Sequence, residues 1–248
     1  WQVIAEVSII MPMYNAEHYV RASICSILNP TFKNFLLYII DDCSTDSSKQ
    51  IAESFNDPRI IIISNAINVG VARTRNKGIE LAQTKYIAFC DSDDIWHEQK
   101  LEKQISLLDS GKYNVVGSFY STFKDGKFES AKLISAPELV FYRDMLKSNW
   151  IGNLTGIYNA HVLGKVFQQE IGHEDYVMWL KLIEKSRVAY IIQEPLAYYR
   201  IRSLSLSSNK MKACLWQWRI YRKILHFNFF KTSCYMFFYI IAALNKRR

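Results

Sequence analysis

The chain has 248 residues, half of them hydrophobic and 22% charged, with a formal net charge of +8. That balance excludes a disordered chain, and nine glycines and five prolines exclude collagen-like and linker-like sequences. No clean apolar run reaches the roughly 20 residues that a membrane-spanning helix needs, which excludes a polytopic membrane protein.

The charge is uneven. From Pro195 to Arg248 there is no Asp or Glu, and eleven Lys and Arg. The preceding residues carry twenty-three acidic against twenty basic side chains, a net of −3. A mildly acidic body with a strongly basic tail points to a polyanionic partner or an anionic membrane surface. The five cysteines are scattered without a C-x-x-C pair, so neither a disulfide framework nor a zinc site is expected, and a reducing compartment fits. No charged segment leads into an apolar stretch at the start, so no signal peptide is expected.

Four short apolar runs punctuate the first ninety residues: Val7–Met11, Leu36–Ile40, Ile60–Ile63 and Tyr86–Cys90. Each is continuous rather than alternating, as buried parallel strands require. Between and after them lie helical patterns over Glu17–Leu28, Asp46–Phe55, Val71–Ala82 and Gln99–Leu108. The βαβαβαβα order predicts an α/β fold with a mostly parallel sheet and helices on its faces. A strand is expected over Val115–Phe123, followed by a hairpin turn at Lys124–Lys127. Further expectations are a helix within Pro137–Lys147, a helix over Glu174–Lys185, and two short strands, Ala189–Gln193 and Leu196–Ile201, separated by Glu194-Pro195. The division read from this pattern is one domain over 1–205 and a basic, aromatic tail over 206–248. Residues 1–109 form the first half of the domain and 110–205 the second.

In open α/β sheets, ligands bind beyond the carboxyl ends of the strands. That rule selects the loops Pro12–Glu17, Asp41–Asp46, Asn65–Asn76 and Asp91–Trp96. Asp91-Ser92-Asp93-Asp94 places three carboxylates in four residues. Crowded carboxylates raise one another's pKa unless a cation is present, and hard oxygen ligands suit Mg²⁺ or Mn²⁺. The alternative is an Asx-rich turn that caps the next helix. Asp41-Asp42 offers an acceptor for the N–H groups of a nucleobase. Asn68-Val69-Gly70 with Arg73 and Arg75 is a helix start carrying arginines, a natural diphosphate site or simply a solvated helix end. Glu174-Asp175 is either a pair of acids facing a helix dipole or a general base. No G-x-G-x-x-G or P-loop pattern is present, against a dehydrogenase or an ATPase.

In this order the pieces resemble the family 2 glycosyltransferases, inverting nucleotide-sugar enzymes of GT-A fold. The matching residues are Ser8–Asn15 with Glu17, Asp41–Asp46, Asn68–Gly70 through Arg75–Ile79, Tyr86–Asp94, Glu174-Asp175 with Trp179, and Tyr199-Arg200 with Ser203 and Ser205. The resemblance is dense over 7–109, sparse but ordered to about 205, and absent from the tail. It implies that Pro12 and Tyr14 line the base pocket, Asp42 binds the base, and Arg75 faces the donor. It implies that Asp91 contacts the ribose or donor sugar, that Asp93 with Asp91 holds Mn²⁺ or Mg²⁺, and that Asp175 is the base, supported by Glu174. Glu17, Asn68, Asp94, Arg200 and Arg202 complete the implied donor site. Some relatives carry a metal-ligating His where this chain has Arg202, and an arginine cannot ligate a metal.

Residues 210–248 interleave Lys and Arg with Trp216, Trp218, Tyr221, Phe227, Phe229, Phe230 and later aromatics. Such a segment suits an interfacial helix on anionic lipid, a helix packed on the body, or a nucleic-acid contact. Membrane contact is the expectation. Short family members of this layout resemble those that move glucose or galactose from a UDP-sugar to a GlcNAc- or GalNAc-diphospho-undecaprenol, making a β-linkage, expected to be β-1,3, in O-antigen or capsule repeats. The expected location is the cytoplasmic face of the bacterial inner membrane, without nucleic acid. The competing reading is an inert peripheral membrane or nucleic-acid binding module.

Overall fold

A computed structural model of the chain describes residues 5–124, 127–201 and 210–245. The hairpin turn at 125–126 and the candidate residue Arg202 lie outside these, as do Ser203 and Ser205.

The four apolar runs are parallel strands. β1 (Val7–Met13) pairs with β2 (Phe35–Asp41) on one side and β4 (Tyr86–Phe89) on the other, and β2 pairs with β3 (Ile60–Ser64). Every residue of β1 is buried, as the lack of alternation predicts. The register sets Met13 opposite Asp41, and Asp41 opposite Ser64. The ends of these strands therefore share one edge, and the selected loops leave from it.

Helices α1 (Val20–Leu28), α2 (Ser48–Glu53), α3 (Val71–Leu81) and α4 (Lys100–Asp109) connect or follow these strands. The two faces of the sheet bury different sets. Val7, Ile9, Met11 and Met13 pack with Ile24, Phe35 and Leu101, whereas Ile10 packs with Ile79, Phe89 and Trp179. This is the period-two alternation of a strand. Gly78 lets α3 lie directly on β1: a Cβ there would sit 2.6 Å from Ile10 Cγ2.

The second half extends the sheet. β5 (Ile95–Trp96), β6 (Val115–Lys124), β7 (Lys127–Ile134), β8 (Leu139–Phe141), β9 (Ile157–Asn159) and β10 (Val188–Arg200) bring it to ten strands in the order β3-β2-β1-β4-β9-β6-β10-β5. β7 joins β6 and β8 joins β10. β6 and β10 are parallel; β9 is antiparallel to both its neighbours. The mostly parallel α/β sheet is thus present, with β5, β7, β8 and β9 pairing antiparallel to their neighbours.

Two expectations differ. The helix expected within Pro137–Lys147 is only the single turn α5 (Tyr142–Met145), because Leu139-Val140-Phe141 pairs with Val188–Tyr190 as a strand. The two strands expected around Glu194-Pro195 are one, β10, whose register shifts on either side of Pro195. Proline cannot donate to a ladder and is accommodated at such an irregularity.

α6 (Ala160–Leu163) and α7 (Glu174–Ser186) cover the Ile10 face. The tail forms α8 (Lys210–Arg219), a π-helical turn (Ile220–Ile224) and α9 (Phe229–Asn245). Ile220 is fully buried in the same core as Tyr176 and Trp179. Phe229, Phe230, Phe237 and Leu244 of α9 are exposed. Among the described residues, no helix is long and apolar enough to cross a membrane.

Candidate active site

The first two loops are laced together. Asn15 and Cys43 both adopt positive φ, 46° and 62°, which turns each loop sharply at its strand end. Asn15 N–H donates to Ser44 Oγ at 3.1 Å, and its side-chain oxygen accepts from Thr45 N–H at 2.9 Å. Glu17 N–H donates to Asp46 Oδ2 at 3.1 Å, while Glu17 Oε2 accepts from Ser47 N–H at 3.0 Å. Glu17 and Asp46 therefore satisfy helix-start amides across the two loops. These bonds explain why the helices start later than their sequence patterns, at Val20 and Ser48. Pro12 is buried inside β1 opposite Ile40, and Tyr14 stands half-exposed at the edge.

Asp42 is buried and spends its carboxylate on the third loop. It accepts from Asn65 Nδ2 at 2.8 Å and from Val69 N–H and Gly70 N–H at 2.9 Å each. Burial acts to raise its pKa, but these bonds outweigh it and hold the carboxyl below its usual value. Asp42 thus binds the two amides just ahead of α3, those of Val69 and Gly70. Asn68 lies exposed in the same loop.

The arginines of that helix part ways. Arg73 is exposed and pairs with Glu170 at 2.5 Å. Arg75 is 7% exposed, and its Nη2 contacts both oxygens of Asp91 at 2.7 Å, while Nη1 donates to Gln168 Oε1 at 3.2 Å. Gln168 is fixed in turn by a two-way bond with the Asn76 amide. Arg75, expected to face the donor, is turned onto the carboxylate expected to do so.

Asp91–Asp94 forms a tight turn, closed by Asp94 N–H donating to the Asp91 carbonyl at 3.1 Å. Arg200 clamps it. Its backbone N–H donates to Asp94 Oδ1 at 3.1 Å, and its Nε donates to the Asp93 carbonyl at 2.8 Å. Its guanidinium lies over the rings of Tyr19 and Phe123, 4.8 and 4.5 Å from their centroids. Burial, then repulsion from Asp93 and Asp91, pushes the Asp94 carboxyl well above the usual carboxylate range. Asp94 is buried at the base of the turn, where it accepts from the Arg200 amide.

Glu174 and Asp175 open α7, where acids complement the helix dipole. Asp175 Oδ2 accepts from Asn149 Nδ2 at 3.3 Å. Burial acts to lower the pKa of Arg75, but Asp91, then Asp175 and Glu174, raise it above its ordinary value. One buried cation thus senses the carboxylate turn after β4 and the acid pair of α7. Residues more than eighty positions apart share one electrostatic site.

Among the described residues, no group of three His, Cys, Asp or Glu is arranged to hold a metal by itself. The donor set still fits a hard divalent ion of the kind held by one or two carboxylates and completed by water and phosphate oxygens. Asp93 and Asp91 are the two carboxylates whose charge is concentrated here, and their effect on Asp94 is the repulsion that such an ion relieves.

Three residues of the site escaped sequence reasoning. Asn149, Gln168 and Tyr19 each position a motif residue, yet none belongs to a motif. Only a neighbouring signal existed, in Asn76, whose partner the sequence does not name.

Residues 8–166 match the model of the family described as Glycosyl transferase family 2. TuaG of Bacillus subtilis (strain 168), described as a putative teichuronic acid biosynthesis glycosyltransferase, is 36% identical over 244 residues, covering 97% of each chain. WfgD of Escherichia coli, a UDP-Glc:alpha-D-GlcNAc-diphosphoundecaprenol beta-1,3-glucosyltransferase, is 34% identical over 245 residues, 97% of this chain and 94% of that one. The crystal structure of S. aureus TarS 1–349 in complex with UDP-GlcNAc superposes with a TM-score of 0.76 at 20% identity, over 95% of this chain and 71% of TarS. At that identity the likeness speaks for the fold.

Proposed function

The chain belongs to glycosyl transferase family 2 and has the GT-A fold, and on that premise we propose that it moves a hexose from a UDP-sugar to a polyprenyl-diphosphate-linked GlcNAc or GalNAc. The product is a β-linkage, with β-1,3 the expected position, in the repeat unit of a surface polysaccharide. The observation that carries this reading is the 34% identity to WfgD over 97% of this chain, on a fold that gathers the motif loops at the ends of β1, β2 and β4. The relationship to WfgD favours UDP-glucose as the donor and a GlcNAc-diphosphate lipid as the acceptor.

In this reading each site residue has a role that its position supports. The UDP-sugar lies along the edge formed by the ends of β1, β2 and β4, with Tyr14 against the base. Asp42 shapes the base pocket by fixing residues 65–70, and Asn68 borders it. Asp91, oriented by Arg75, contacts the ribose or donor sugar. Arg200 and Asp94 hold the turn that presents Asp93. Asp93 and Asp91 would hold Mn²⁺ or Mg²⁺, which would supply positive charge against the departing diphosphate. Asp175 takes the proton of the acceptor hydroxyl, with Glu174 beside it. The acceptor oxygen bonds to C1 as the C1–O bond to UDP breaks on the opposite face, so an α-donor gives a β-product in one displacement.

The acceptor places the enzyme at a membrane. The exposed aromatic face of α9, with exposed Lys212, Arg219, Arg222, Lys223 and Lys231, suits peripheral contact with anionic lipid at the cytoplasmic face.

The test is UDP release by the full chain with Mn²⁺, UDP-glucose or UDP-galactose, and a GlcNAc-diphosphate-lipid analogue. Acceptor-dependent release with one sugar, lost on chelation, is expected. A folded protein that releases no UDP with either sugar would refute the proposal.

A further inference from the structure

We infer that Trp216 of the C-terminal helix is a positioning residue for the catalytic acid pair, so that the tail is a working part of the acceptor site. The inference rests on the reading of Asp175 as the base. Two chains of contact lead from the tail to that carboxylate.

The first runs through the turn ahead of α7. Gly172 and His173 are consecutive left-handed residues, with φ of 75° and 52°. The indole of Trp216 lies directly on Gly172: a Cβ there would be 2.3 Å from its Cδ2. Only glycine therefore permits both the backbone angle and the contact. The His173 ring meets the same indole edge-on, with centroids 5.4 Å apart. The His173 side chain does not cap the helix, and among the described residues its buried Nε2 has no hydrogen-bond partner, so the indole contact is a principal support of the ring. The His173 carbonyl then accepts the first helical bond of α7, from Tyr176 N–H at 3.1 Å. The unusual angle at His173 is thus transmitted directly to Glu174 and Asp175.

The second chain runs through the segment that carries Asn149. Tyr221, fully buried in the π-helical turn, donates its hydroxyl to the Leu146 carbonyl at 2.5 Å. Tyr176 of α7 donates to the adjacent Met145 carbonyl at 2.7 Å. Three residues beyond Leu146, Asn149 reaches Asp175. The tail therefore fixes both the backbone that bears Asp175 and the side chain that orients it. A left-handed non-glycine residue is strained and persists only where its surroundings enforce it.

The experiment compares the full chain with Trp216→Ala, Trp216→Phe and Gly172→Ala. Trp216→Ala is expected to lower kcat for transfer ~10–100-fold, the scale of a misplacement of about 1 Å, with KM for the UDP-sugar unchanged. Trp216→Phe is expected to restore most of the loss. Gly172→Ala, which drives the indole away without removing it, is expected to reproduce it. Hydrogen exchange is expected to quicken at residues 172–178 and 145–150 in Trp216→Ala and to stay unchanged at 65–76. Lower thermal stability with unaltered kcat would overturn the inference, as would a parallel loss of donor KM and kcat. If the wild-type protein transfers no sugar, the reading of Asp175 fails instead. Exchange then decides the positioning role alone, and unchanged rates at 172–178 would overturn it.

Discussion

The proposed donor edge and the proposed acceptor side of the site are built in different ways. On the donor edge, carboxylates are wired before any ligand arrives. Asp42 holds three donors, Glu17 and Asp46 cross-bond two loops, Arg75 holds Asp91, and Arg200 holds the turn. On the acceptor side, Asp175 rests on a 3.3 Å bond from Asn149 and on a helix start set by aromatic packing from the tail. One half is preorganised by charge and hydrogen bonds, the other by shape. A preorganised donor site needs little rearrangement to stabilise a departing diphosphate. An acceptor site set by packing is tuned by whatever touches the packing.

The comparison breaks most visibly at Asp175. Asp175→Asn preserves size and the bond to Asn149 but cannot take a proton. Transfer is expected to fall by about 10²–10⁴-fold, while UDP binding, measured by calorimetry, stays within twofold. Weakened UDP binding in this variant would mean that the two halves are not separable. Arg75→Met strikes the other half. It leaves Asp91 without its cation and removes a nearly buried charge that three carboxylates share. The expected cost is about 2–3 kcal/mol in urea unfolding, at the low end for a buried pair because Asp91 is partly exposed. A loss of donor affinity should accompany it. Retained stability with lost affinity would instead make Arg75 a direct donor ligand.

The same division explains what the sequence discloses. Continuous apolar runs such as Leu36–Ile40 have one buried home in a parallel sheet, so the first four strands and the loops at their ends are legible. Motif acids are legible because adjacent aspartates at a strand end, as in Asp41-Asp42 and Asp93-Asp94, exceed what a turn or helix cap needs. Pairings are not: nothing in the sequence says that Arg75 turns to Asp91 or that Asp42 gathers residues 65–70. The misjudged segment at 137–147 has helical spacing, and tertiary pairing with β10 overrides it. Trp216 is a tail aromatic like its neighbours until Gly172 is found beneath it. Packing against a distant glycine leaves no local pattern.

A smaller effect probes the floor beneath the donor turn. Lys100 is fully buried, donates to Gln104 Oε1 at 2.7 Å and lies 4.0 Å from the Trp96 ring centroid. Burial lowers its pKa to about 7, only partly opposed by the nearby Cys90. Between that value and its ordinary 10.5 the unfolded chain binds a proton that the native state does not, so stability rises with pH there. Burial pushes the Cys90 thiol well up, so the unfolded chain gives up this proton first and Cys90 opposes the rise as pH nears 9, which is why the slope is read against Lys100→Met, where Cys90 is retained. From pH 7 to 9, urea unfolding of the wild type is expected to gain up to about 2 kcal/mol relative to Lys100→Met. Parallel profiles for the two proteins would mean that Lys100 stays charged in its pocket.

The smallest expected effect sharpens the donor edge most finely. Arg73 and Arg75 lie two residues apart on α3, yet one pairs across the surface with Glu170 and the other is buried against Asp91. If wiring rather than proximity to the helix start makes a donor arginine, Arg73→Ala should leave the melting temperature and the KM for UDP-sugar unchanged. An exposed pair is screened by water and salt, and its side chains lose freedom to form it. Raising salt should then alter the wild type and Arg73→Ala alike. A tenfold rise in KM for Arg73→Ala would instead show that the surface pair opens and the arginine swings to the diphosphate, making Glu170 its resting partner. The donor edge would then be less completely preorganised than its hydrogen bonds imply.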